Sequence, residues 1–106
     1  MIWVENGKGG YEVIHPMVFV EFFVPGLRGL QVHQMDRNRL RLVISAAGDS
    51  EQVAAAASDR MKEILAGKGL QGVVDFDIDM VESILPDKRT GKTRMVISHI
   101  GPPKGI

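Results

Sequence analysis

The stretch LPDKRTGKTRMVIS, residues 85–98, places Lys88, Arg89, Lys92 and Arg94 within seven positions around Gly91. Such a cluster offers ammonium and guanidinium groups to an anion, and its centre, TGKT, looks like the end of a phosphate-binding loop. The full loop needs a glycine five residues before Gly91, where this chain has Pro86. It also needs a helix directly after the lysine, so that backbone N–H groups at the helix start meet the phosphate. Here a strand is expected to follow. The segment therefore reads as a basic turn between two strands. Lysine is a compact charge on a flexible stem, so one on such a turn can be delivered to a site on another domain.

Other chemistry-bearing residues are less concentrated. Asp75, Asp77 and Asp79 alternate along VVDFDIDM. On a strand they share one face at roughly 7 Å spacing, without the converging loop that calcium requires. His15, His33 and His99 show no i, i+4 pair of the kind that binds metal, so structural roles are expected for them and no metal site is proposed. Ser45, Ser50, Ser58, Ser83 and Ser98 lack the strand–turn–helix setting of a nucleophilic serine. The chain has no cysteine, which excludes disulfides, thiolate metal sites and cysteine nucleophiles.

The elements that must carry these residues follow from periodicity. YEVI, residues 11–14, is a short strand, and Pro16 suits the first turn of a helix through the apolar run Met17 to Val24. LQVHQM and RLRLVIS flank DRN as two strands joined by a tight turn. Asp49 or Ser50 can cap the next helix, Gly67 can close it, and Val53, Ala57, Met61, Ile64 and Leu65 form its apolar stripe. VVDFDIDM turns Val74, Phe76, Ile78 and Met80 inward, and RMVISHI supplies a last strand. The order predicts an α+β fold. It is a ferredoxin-like two-layer sandwich, with two helices on one face of an antiparallel sheet and an extra C-terminal hairpin strand.

At 106 residues the chain is expected to be one domain, with residues 1–10 linker-like, 11–100 folded and 101–106 an irregular tail. Thirteen basic residues cancel thirteen acidic ones, which gives no whole-molecule attraction to nucleic acid or an anionic membrane. The N-terminus lacks a basic segment followed by an apolar run, and the longest apolar stretch is broken by Glu21. A cytoplasmic location is expected.

Taken in order, YEVIHPMVF, LQVHQMDRNRLRLVIS and SILPDKRTGKTRMVIS resemble the C-terminal domain of adenylate-forming enzymes, in the phenylacetate–coenzyme A ligase branch. The resemblance implies a small lid on a large N-terminal adenylation domain, inert on its own. In the complete enzyme ATP, Mg2+, coenzyme A and a small carboxylic acid would be used. By match to the family's glycine–lysine turn, Lys92 would be the catalytic lysine. Lys88, Arg89 and Arg94 would be nucleotide or substrate contacts, and Lys8 in NGKGG would stand at the hinge. A second outline fits the same elements: a free-standing regulatory module that binds a small effector and pairs as a homodimer.

Overall fold

In a computed structural model of the chain the described residues are 2–20, 22, 24–82, 84 and 96–101, with the backbone alone for Val20. The elements are β1 (Ile2–Glu5), β2 (Tyr11–Ile14), α1 (Met17–Val20), β3 (Leu27–Asp36), β4 (Arg39–Ala46), α2 (Ser50–Gly67), β5 (Asp75–Val81) and β6 (Val96–Ser98). They form two sheets. β1 and β2 make an antiparallel hairpin, and the main sheet has the order β5-β4-β3-β6.

The main sheet is mixed, not antiparallel as its elements suggested. β3 and β4 are antiparallel, but β4 and β5 are parallel, and so are β3 and β6. The reason lies in β2. In a ferredoxin-like sheet the first strand separates the two strands that flank the second helix. Here β2 pairs with β1 instead, with Ile2 opposite Ile14 and Glu5 opposite Tyr11. β4 and β5 then close directly against each other, and α2 becomes their parallel crossover. β6 does not form the expected hairpin with β5. It joins the opposite edge, Val32 facing Val96.

The N-terminal residues belong to the folded body. Ile2, Val4 and Ile14 are fully buried and share one core with Phe19, Val32, Leu40, Leu42, Ile44, Met61 and Leu70. A buried aliphatic or aromatic side chain of this kind stabilises by about 1.5–3 kcal/mol. The run after Pro16 forms a single helical turn, with Phe19, Phe22 and Val24 buried and Met17 exposed. It is core, and its helix ends four residues short of Val24.

α2 follows its sequence signals closely. The Asp49 side chain accepts from the N–H groups of Glu51 and Gln52, and Val53, Ala57, Met61 and Leu65 are its buried stripe. Its closing glycine is Gly69, two residues beyond the expected Gly67. Gly69 takes φ 70°, its N–H donates to Ala66, and the Leu70 N–H donates to Leu65 at 2.8 Å. That pair of bonds satisfies the last carbonyls while Leu70 packs on Leu65.

Three side chains at the end of the β3–β4 hairpin join the remaining parts. Gln34 is fully buried and points inward. Its Nε2 donates to the Trp3 carbonyl at 2.8 Å and the Arg37 carbonyl at 3.1 Å, and its Oε1 accepts from the Ser98 hydroxyl at 2.9 Å. Arg37 Nη1 donates to Trp3 and Gly101 carbonyls. The Asn38 amide accepts from Glu5 N and donates to the carbonyls of Glu5 and Val73. Strand β1, the entry to β5 and strand β6 are thus fastened to one turn. Gln34→Met keeps the volume but strands these partners, and should cost about 1–3 kcal/mol. Urea unfolding measures this; a change below about 0.5 kcal/mol, the level of an ordinary surface substitution, would show that the ties contribute nothing.

Candidate functional site

The face of the main sheet turned away from α2 carries its polar side chains in rows set by the strand register. Asp77 of β5 lies beside Arg41 of β4, which lies beside His33 of β3, which lies beside Ile97 of β6. Asp77 accepts from Arg41 Nε at 3.3 Å and from Arg39 Nη2 at 3.2 Å. The aspartate row therefore includes one carboxylate held by two arginines across the strand. At the far end of this face Ile84 packs down on Gly29. A Cβ at Gly29 would lie 2.8 Å from Ser45 Oγ and 3.1 Å from Ile84 Cδ1, so a larger residue there would push both side chains aside.

The chemically distinctive group on this face is a pair of histidines 66 residues apart. His33 Nδ1 and His99 Nε2 are 2.9 Å apart, and His33 Nε2 is 2.8 Å from Gln31 Oε1. The two ring planes differ by 12° and their centroids are 5.2 Å apart. The centroid spacing exceeds the nitrogen contact by about the two ring radii, so the rings meet edge to edge in nearly one plane and do not stack. The proton positions then follow. Gln31 Oε1 can only accept, so His33 Nε2 carries a hydrogen. Neutral His33 offers a lone pair at Nδ1, and His99 Nε2–H donates into it.

Burial holds the His33 imidazole below its ordinary value, and the neighbouring His99 and Arg41 lower it further. All three causes act against a second positive charge beside the Arg41 guanidinium. The geometry does not suit a metal ion. The facing nitrogens are aligned on each other, whereas two ligands must converge on a third point. Among the described residues, no group of three metal-binding side chains comes together.

The residues singled out in the sequence fall elsewhere. Lys88, Arg89, Lys92 and Arg94 lie outside the described residues. Lys8 sits in the loop between β1 and β2, inside a hairpin of the folded body. Asn6 Oδ1 accepts from the N–H groups of Lys8 at 2.8 Å and Gly10 at 3.1 Å. These glycine-loop amides are thus already occupied, and Glu5 also lines the cavity of about 290 Å³ beside them. That is a poor setting for a phosphate. A second cavity, of about 320 Å³, opens between α2 and the start of β5, with Lys62, Gln71 and Asp75 around Leu65, Val74 and Phe76. His15 has a structural part, its Nδ1 accepting from Met17 N at 3.1 Å ahead of α1. The His33–His99 pair had no signal in the sequence, because it depends on β6 pairing with β3.

No helix among the described residues is long and apolar enough to cross a membrane. No family model matches the chain, and neither does any curated protein or solved structure.

Two outcomes follow for this face. Asp77 and both arginines are more than a third exposed, so Asp77→Asn should cost less than about 1 kcal/mol, and less again at high salt. Urea unfolding at two salt concentrations checks this. A histidine lowered in the folded state binds its proton more readily when unfolded. The His33 contribution is therefore complete above the ordinary value of 6.5 and declines as pH falls from there through the lowered folded value. Unfolding free energies measured across that interval should rise with pH and then level off; a fall with rising pH would contradict the assignment.

Proposed function

We propose that this chain is the lid-type C-terminal domain of an acid–coenzyme A ligase of the phenylacetate–coenzyme A ligase kind, working in the cytoplasm with an N-terminal adenylation domain. The reading rests on the ordered resemblance of three motifs, and one structural observation supports it. The two described flanks of the basic stretch both lie against the main sheet. Ile84 lies against Gly29, and Val96 pairs with Val32. A cationic segment whose two ends are anchored on a small folded domain is what a lid delivering a lysine requires.

On this reading the sandwich is of ferredoxin-like descent, its first strand withdrawn into the β1–β2 hairpin. The remaining order β5-β4-β3, with β4 and β5 parallel, is what that sheet becomes when the strand between them leaves. Lys92 supplies positive charge where negative charge builds up. The acid's carboxylate oxygen bonds to the α-phosphorus of ATP, the bond to pyrophosphate breaks, and an ammonium beside both oxyanions lowers the barrier. Lys88, Arg89 and Arg94 add anion contacts around it. Coenzyme A then takes the acyl group as AMP departs, and the isolated chain performs neither step.

The test uses the full-length parent. Lys92→Ala should slow acid-dependent pyrophosphate exchange by about 10²–10³-fold, the scale for removing one charge-stabilising donor. Thioester formation from supplied acyl-adenylate should continue. Unchanged exchange would reject the role of Lys92 and with it the lid reading.

A further inference from the structure

We infer that the His33–His99 contact is a one-proton clamp that fastens β6 to the edge of the main sheet and lets go when the pair takes up a second proton. The inference stands independently of the lid reading, since it concerns only how β6 is held.

β6 is three residues long and pairs with β3, and its Val96 packs against the buried core. Beyond the three paired positions, bonds hold its end on two sides of the sheet, and Arg37 also ties down Gly101. On the inner side Ser98 Oγ donates to buried Gln34 Oε1, and the His99 N–H donates to the Gln34 carbonyl at 3.0 Å. On the outer side the His99 ring reaches the His33 ring. The inner attachments are amides and a hydroxyl, which do not titrate near neutrality. The outer one does.

Two imidazoles joined through one hydrogen have a definite proton inventory. Gln31 Oε1 fixes the hydrogen of His33 on Nε2, leaving Nδ1 to accept. The first added proton can go to His99 Nδ1, on the far side of that ring from the contact. The bond then becomes a charge-assisted one from an imidazolium, and the clamp holds. The second proton has only His33 Nδ1 to go to. It would place two N–H groups head to head at 2.9 Å, so the bond must break. Among the described residues, the charged groups around the pair do not relieve this. From β4, Arg41 lies beside His33 and adds a third positive charge. From β5, Asp77 is already held by Arg39 and Arg41. From the residue after β6 the facing group is His99 itself. Closed β6 therefore binds one proton at the pair where open β6 binds two.

The prediction concerns local opening. Hydrogen exchange of the His99 amide and the β6 amides, corrected for intrinsic rate, should show protection falling as pH drops below about 6.5, by up to tenfold per pH unit, the limit for one linked proton. Amides of α2 should stay better protected than those of β6 at every pH, falling only as far as the free energy of global unfolding falls. His33→Gln replaces the titrating acceptor with an amide oxygen that can take the same hydrogen from His99, so β6 protection should become independent of pH. Nitrogen-15 spectra of the unmodified protein at neutral pH should show His33 protonated at Nε2 and bare at Nδ1, with His99 protonated at Nε2. The inference is overturned if β6 protection is constant with pH, or if His33→Gln keeps the slope. Should His33→Gln fail to fold, imidazole spectra of the unmodified protein showing two histidines that titrate independently would overturn it as well.

Discussion

The arrangement depends on the burial of one primary amide. Gln34 lies on the inward face of β3, where the alternation of the strand would otherwise put an aliphatic side chain between Val32 and the turn. A buried amide without partners costs more than it contributes, so the site exists only because carbonyls and a hydroxyl converge on it. They come from three separate segments: Trp3 of β1, Arg37 of the hairpin turn and Ser98 of β6. This constraint gives the N-terminal hairpin its position. A two-stranded hairpin is marginal alone, and this one gains its place from apolar burial by Ile2, Val4 and Ile14 together with the directional bonds at its edge.

Arg37 and Asn38 extend the same logic around the turn. Asn38 bonds both the N–H and the carbonyl of Glu5, which satisfies β1's backbone at a point where no neighbouring strand does so. It also holds Val73, and its own carbonyl accepts from Asp75 N at the start of β5. The turn DRN thus sets the entry of β5 beside β4. Once β2 is committed to β1, α2 has only a parallel crossover open to it, and the register of that crossover is fixed at the same turn.

What the sequence made legible and what it hid divide along range. α2 was readable because its cap, its stripe and its chain-terminating glycines lie within one or two turns of what they act on; only the choice between Gly67 and Gly69 needed the geometry of Leu65 and Leu70. The inward set Phe76, Ile78 and Met80 was readable for the same reason. β1 was hidden because four residues, IWVE, give too short an alternation beside a glycine-rich loop. The parallel partners of β4 and β3 were hidden because strand pairing is decided by competition between distant segments. Gln34 and Ser98 looked like ordinary polar residues, since satisfaction of a buried amide can be judged only when its partners are present. His33 and His99 belong to this second kind. The basic residues Lys88, Arg89, Lys92 and Arg94 were conspicuous by composition alone, and their part rests on the resemblance that places them.

The ties differ in chemistry as well as in place, and the difference has a direction. β1 is held by amides, a guanidinium and backbone carbonyls, none of which changes protonation between mildly acidic and neutral solution. β6 is held by an amide on its inner side and by imidazoles on its outer side. Proton uptake at the pair does not reach the ties that hold β1, which run through Gln34, Arg37 and Asn38. Its effect is confined to the edge strand that follows the basic segment. The sheet therefore combines a permanent fastening at the β3–β4 turn with a conditional one at its β3 edge. The conditional one acts on a strand only three residues long.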